Sequence, residues 1–229
     1  MSSEGSPVGR RIVLGMIGLG AVGVVTGAKV QRGVNRALGP VSSGISGIVP
    51  AAGGFRFYTV TGSVKRIEPA DYHLTVRGLV NHPRDFSFVE LQTALPQTRM
   101  TDTFHCVTGW SVPKVAWVGV ALPDLLDAVG VGAGARGVKF TSFDGEYTES
   151  LTLEQARRRD VIVATGMLGG PVSHDHGGPV RMYVNPMYGY KSTKWLSGIE
   201  LVDKVRPGYW ETRGYDVDGW VGHSNGYTS

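Results

Sequence analysis

Hydrophobic positions along the chain change spacing many times, and each change marks an element. Residues 55–60 (FRFYTV) and 72–80 (YHLTVRGLV) are rich in aromatic and β-branched residues with partial alternation, which predicts strands. Ser87 and Glu90 have the S-x-x-E spacing of a capping box, so a short helix is expected through Leu95. Residues 100–107 (MTDTFHCV) read as a strand running into a turn at Thr108-Gly109. Pro123, in a first-turn position, starts the helix PDLLDAV, and Gly130 closes it. Residues 138–143 (VKFTSF) form another strand, and Asp144-Gly145 turns the chain into YTESL. Thr152 and Gln155 make a second capping box before EQARRR. Residues 161–165 (VIVAT) read as a buried strand, and 179–184 and 194–205 complete the set. Helices and strands interleave without the regular alternation of a doubly wound sheet. The expected class is α+β with mixed strands, in one domain over residues 55–229.

The first 54 residues follow a different pattern. A polar stretch ends in Arg10-Arg11, and residues 12–28 carry no charge. A cationic region before a short apolar run predicts an export signal, and the adjacent arginines give it a twin-arginine character. Its length also meets the lower limit for a membrane anchor. Residues 29–54, rich in Gly, Ser and Pro, read as a linker or irregular arm.

Composition narrows the picture. With 41% hydrophobic residues and a net charge of +4 over 229 residues, the chain supports a buried core and gives little reason to expect a nucleic-acid partner. It holds 34 glycines and 12 prolines, roughly a fifth of all residues against an average of about 12%. There is one cysteine, Cys106. That excludes an internal disulfide, a multi-cysteine zinc site, a Cys-ligated iron–sulfur cluster and a c-type haem.

Cys106 lies at the end of a predicted strand, beside His105 and just before a glycine turn. The residue alone suits a buried small hydrophobe, a histidine-paired nucleophile or a ligand to a soft metal. His174, Asp175 and His176 form an H-x-H on a loop, a weak zinc signal. Arg181, Lys191 and Lys194, set among two glycine turns, suit an anion, phosphate above all. The run has no Walker spacing.

FHCVTGW (104–110), WVGVALPDLLDAVG, YTESLTLEQA and DHGGPVRMYVNPMYGYKSTKWLSGIEL together resemble the molybdopterin-binding domain of the sulfite oxidase family. Within that family the chain is nearest the small bacterial proteins related to the catalytic subunit of periplasmic methionine-sulfoxide reductase. The resemblance spans roughly residues 55–215. It implies a sulfite-oxidase-type mixed-sheet fold and a molybdenum-molybdopterin cofactor with one pterin per chain.

Under that resemblance Cys106 is the protein ligand to molybdenum, beside the dithiolene. Arg181 and Lys194 match the positions that anchor the pterin's phosphate, with Ser192 and Thr193 between them. His176 falls on a pterin-contacting position, and Ser142 and the pair Tyr58-Thr59 align with further cofactor contacts. The implied activity is two-electron oxygen-atom transfer outside the cytoplasm. Val107-Thr108-Gly109-Trp110 stands where sulfite oxidases carry additional arginines, and Lys191 replaces an arginine of that branch. The expected substrate is therefore an S-oxide or N-oxide, small or protein-bound, with His105, Trp110 and Tyr190 as candidate pocket residues. Electrons would come from a separate electron-transfer protein, soluble or membrane-bound. Two other readings remain: a non-catalytic binding module of the same fold, and a hydrolase or transferase using Cys106 with a histidine.

Overall fold

The computed structural model describes Phe55, residues 59–61 and residues 63–223. The expectations for residues 1–28, for the arm at 29–54 and for Tyr58 lie outside the described residues.

One sheet is built from β1 (His73–Gly78), β2 (Arg84–Ser87), β5 (Gly137–Ser142), β6 (Thr148–Thr152) and β10 (Leu196–Val202), in the order β2-β1-β10-β5-β6. β1 and β10 run parallel, and the other neighbours run antiparallel. The second sheet orders β3 (Gln97–His105), β4 (Ser111–Ala121), β7 (Val161–Met167) and β8 (Gly170–Pro171), with β9 (Arg181–Val184) also paired to β7. Three short helices complete the elements: α1 (Phe88–Thr93), α2 (Leu122–Val129) and α3 (Leu153–Ala156). Both predicted capping boxes form, with Ser87 and Thr152 each accepting the amide three residues on. Among the described residues no helix is long and apolar enough to cross a membrane.

Alternation along β7 and β9 explains the core. Val161 and Val163 join Met182 and Val184 in a large cluster with Leu74, Phe140, Leu126 and Ile199, drawn from both sheets and the helices. Ile162, Ala164 and Tyr183 point the other way, into a smaller cluster with Phe104, Trp117 and Phe55. β7 is thus buried on both faces, which is why its first four residues, 161–164, are all apolar. Arg181 opens β9 two residues before Tyr183, on the face of the smaller cluster.

Two expectations change. Phe55, Thr59 and Val60 have no regular structure, so the strand read at 55–60 does not form at its described positions. β4, the longest strand, was not expected, because Pro113 and Lys114 interrupt its pattern. The pairing absorbs both: Phe104 faces Val112 and Asp102 faces Val115, so Pro113 and Lys114 occupy a bulge, with Lys114 at φ 55°.

Lys191 does not join the anion-binding cations. Its ammonium is fully buried and donates to Glu149 Oε1 at 2.6 Å, to Glu211, and to the carbonyls of Ser150 and Val217 at 2.9 Å each. Burial, reinforced by the Glu211 carboxylate, pushes the Glu149 carboxyl up to about 8, against the attraction of Lys191. A proton on Glu149 leaves one ammonium against one carboxylate, a balanced charge in an apolar interior.

The folded state therefore holds a proton that the unfolded chain releases near pH 4.5. The stability that this proton confers is full below about pH 4.5 and is lost as pH rises to about 8, with a slope of at most about 1.4 kcal/mol per pH unit. Urea unfolding across that window should show this decline in the wild type. Glu149→Gln, which keeps the uncharged shape, should flatten it.

Candidate functional site

β3 ends at His105 and delivers Cys106 into a tight turn. The Cys106 amide donates to Trp110 O at 2.9 Å, and Gly109 N–H donates to Cys106 O at 3.1 Å. Gly109 has φ 93°, a conformation open to glycine without strain. The thiol is half-buried, and its sulfur lies 3.1 Å from the Thr108 hydroxyl. A thiolate there would accept that hydroxyl's proton as a hydrogen bond.

The rings around this turn belong to Phe104, Trp110 and Phe55. Phe55 sits 5.4 Å from Phe104, 6.3 Å from Trp110 and 5.1 Å from the imidazole of His176. It joins the cysteine turn to a second segment, a 3-10 turn at His174–His176. His176 Nδ1 lies 2.8 Å from the Ser173 hydroxyl. Burial first, then the charges of Arg181 and Lys194, hold its pKa below the ordinary imidazole value, so the ring is neutral at neutral pH.

The third segment follows β9. Gly189 packs so closely on Phe104 that a Cβ would lie 2.3 Å from the ring, and a 3-10 turn at Gly189–Lys191 leads into Ser192, Thr193 and Lys194. Arg181 ties the two segments together. Its guanidinium donates to His176 O at 2.5 Å and Ser192 O at 3.2 Å, while Nε donates to Met182 O at 3.2 Å. It also stands 5.8 Å from the Phe104 ring centre and 5.4 Å from that of Trp117. Burial pulls its pKa down to about 10.

Lys194 is pushed down to about 7, by desolvation first and then by Arg181, with Asp175 opposing. Two cations held in a desolvated region form a place for an anion. The fully buried Thr193 hydroxyl has no hydrogen-bond partner among the described residues. These features fit a group that ends in a phosphate. Among the described residues no cluster of three or more His, Cys, Asp or Glu side chains could hold a metal.

Residues 61–210 match the family model of the oxidoreductase molybdopterin binding domain, well over half of the chain. The chain belongs to this family. It is 35% identical over 160 residues to the uncharacterized oxidoreductase YuiH of Bacillus subtilis, covering 69% of this chain and 80% of that protein. It is 31% identical over 180 residues to a sulfite oxidase of Arabidopsis thaliana, covering 64% of this chain and 46% of the relative. Against the protein-methionine-sulfoxide reductase catalytic subunit MsrP of Ralstonia nicotianae the identity is 28% over 173 residues, covering 69% and 52%. The chain therefore spans about half the length of these last two relatives. The solved structure of the sulfane dehydrogenase SoxCD from Paracoccus pantotrophus shares the fold, with a TM-score of 0.57 and 24% identity over 62% of this chain and 41% of that one. The mixed sheets and few helices are those of a sulfite-oxidase-type molybdopterin fold.

Within this family fold the sequence-expected residues take distinct places. His176, Arg181, Ser192, Thr193 and Lys194 lie on the two segments that Arg181 joins. The Ser192 hydroxyl accepts the Val184 amide at 2.9 Å, and its own amide donates to Gly189 O at 3.1 Å, so it braces the segment from behind. Ser142 is buried at the end of β5, beside Leu196 of β10, and its hydroxyl donates to Asp144. Asp144 also accepts from the Thr61 hydroxyl at 3.1 Å, and Thr59 bonds Thr61 O at 2.5 Å, so Thr59 and Ser142 share one network. Tyr190 is buried, and its hydroxyl donates to Asp216 O at 2.6 Å and closes against Gly219. The positioning of Phe55 was not read from sequence, although its place in an aromatic cluster (FRFY) was the available signal.

An anion favours the charged form of Lys194, which is present below about pH 7 and lost above it. Inorganic phosphate binding to the cofactor-free full chain, followed by calorimetry, should weaken above that pH by up to about tenfold per pH unit. Lys194→Met should remove the dependence.

Proposed function

We propose that this chain is a molybdenum-molybdopterin oxidoreductase that reduces uncharged S-oxides or N-oxides, small or carried on an oxidised protein, outside the cytoplasm. The observation that carries this reading is the setting of the Cys106 thiol. Its sulfur lies 3.1 Å from the Thr108 hydroxyl, in a turn between Phe104 and Trp110, whose rings pack on each other and on Phe55, with the neutral imidazole of His176 beyond Phe55. Such a surface favours a polar but uncharged group with apolar arms over a dianion such as sulfite.

The bound cofactor supplies two-electron oxygen-atom transfer at molybdenum. Cys106 serves as the protein's thiolate ligand, and Thr108 orients its sulfur. Phe55, Phe104 and Trp110 keep water from the reacting face. Arg181, Lys194 and Thr193 would hold the phosphate end, braced by Ser192, while His176, Ser142 and Thr59 would line the pterin; Tyr58, expected beside them, lies outside the described residues. The overall conversion takes one S-oxide, two electrons and two protons to one thioether and one water. The electrons come from a separate electron-transfer protein, soluble or membrane-bound. Arg10-Arg11 and the uncharged run at 12–28 support twin-arginine export, with that run either cleaved or kept as an anchor.

Protein purified from a molybdopterin-competent host should carry about one molybdenum per chain and reduce sulfoxides with a reduced viologen as donor. Cys106→Ser should lower that turnover at least about 100-fold. Protein free of molybdenum, or oxidising sulfite faster than it reduces S-oxides, overturns the reading.

A further inference from the structure

Trp195 follows Lys194 directly and adopts φ 51°, a left-handed backbone that a bulky aromatic residue rarely takes. Such an outlier persists only where its surroundings hold it, and here they do so from three sides. The Trp195 amide donates to Gly177 O, its indole Nε1 donates to His174 O, and its carbonyl accepts from Phe143 N–H, each at 2.8 Å. Two of these bonds grip opposite ends of the turn that carries His176. The third fastens the residue to the end of β5, next to Ser142.

The same backbone turn folds Lys194 back. Its ammonium lies 4.2 Å from the centre of the Trp195 ring, and its Cβ lies where a Gly177 side chain would have to go, 2.5 Å from an ideal Cβ. The His174 ring closes the other side at 5.7 Å. With an ordinary right-handed or extended backbone at 195, the indole and the Lys194 side chain would not meet the His174–Gly177 turn from the same side.

We infer that Trp195 is a positioning residue for the anion cradle, locking Lys194 and the His174–Gly177 turn into one rigid unit that receives the phosphate end of the cofactor. The inference rests on the molybdopterin reading of the site and deepens it. The indole N–H is the decisive group, because it bridges from the lysine segment to the histidine segment, which Arg181 joins only from the β9 side. Trp195 touches neither metal nor substrate in this arrangement and acts through Lys194 and the turn.

The test compares wild type, Trp195→Phe and Trp195→His, each as the full chain, with inorganic phosphate as the probe and ¹⁵N-detected titration of the Lys194 ammonium as a second readout. Trp195→Phe keeps the apolar ring and loses the donor, and should weaken phosphate binding by between about 2-fold and 10-fold. It should also move the Lys194 midpoint toward the ordinary lysine value while thermal unfolding stays cooperative. Trp195→His, which restores a ring N–H, should recover much of the affinity. Unchanged phosphate affinity and an unchanged Lys194 midpoint in Trp195→Phe overturn the inference, as does equal weakening in both variants. If Trp195→Phe does not fold, Trp195→His against Trp195→Leu decides on the same criteria. Absence of phosphate binding in the wild type overturns the cradle itself, whereas molybdenum content and sulfoxide turnover judge the catalytic reading separately.

Discussion

A buried guanidinium governs the arrangement of this site. Arg181 sits in the smaller apolar cluster, between the rings of Phe104 and Trp117, and its hydrogen bonds run to three backbone carbonyls rather than to a carboxylate. Carbonyl dipoles and ring faces stabilise the cation without cancelling it. The positive charge therefore remains available, and it adds to the burial that lowers both Lys194 and His176. One residue thus brings two segments into register and creates a positive potential between them.

The contrast with Lys191, three residues before Lys194, shows how the fold assigns charge. Lys191 is held by Glu149 and Glu211, with Glu211 as the balancing carboxylate, and anchors the segment. Lys194 lies beyond that network and shares its field with Arg181. Two lysines on one short run thus differ, one held in a buried ion-pair network and the other beside Arg181. The pairing partner Glu211 comes from a distant 3-10 turn near the end of the described chain.

Much of the framework was legible in the sequence because local rules decide it. The two capping boxes, the Pro-initiated α2 and the apolar β7 need no tertiary information. β4 escaped because a bulge accommodates Pro113 and Lys114, and only its pairing with β3 reveals that. The cysteine turn and the segments around His176 and Lys194 were visible as glycine-punctuated motifs. Their convergence was not, since it depends on Phe104 meeting Gly189, Arg181 and Phe55 from three separate parts of the chain. The role of Lys191 was hidden for the same reason: Glu149 and Glu211 lie 42 and 20 residues away. The left-handed Trp195 has no sequence signal, because side chains of its type favour other backbone regions and only the assembled site compensates for the strain.

The central claim is that Cys106 supplies the protein's sulfur to a molybdenum held by one pterin. Molybdenum-edge X-ray absorption on the purified holoprotein tests it most directly. The wild type should show one more sulfur ligand at the metal than Cys106→Ser loaded under the same conditions. An identical sulfur count in the two proteins would contradict the account.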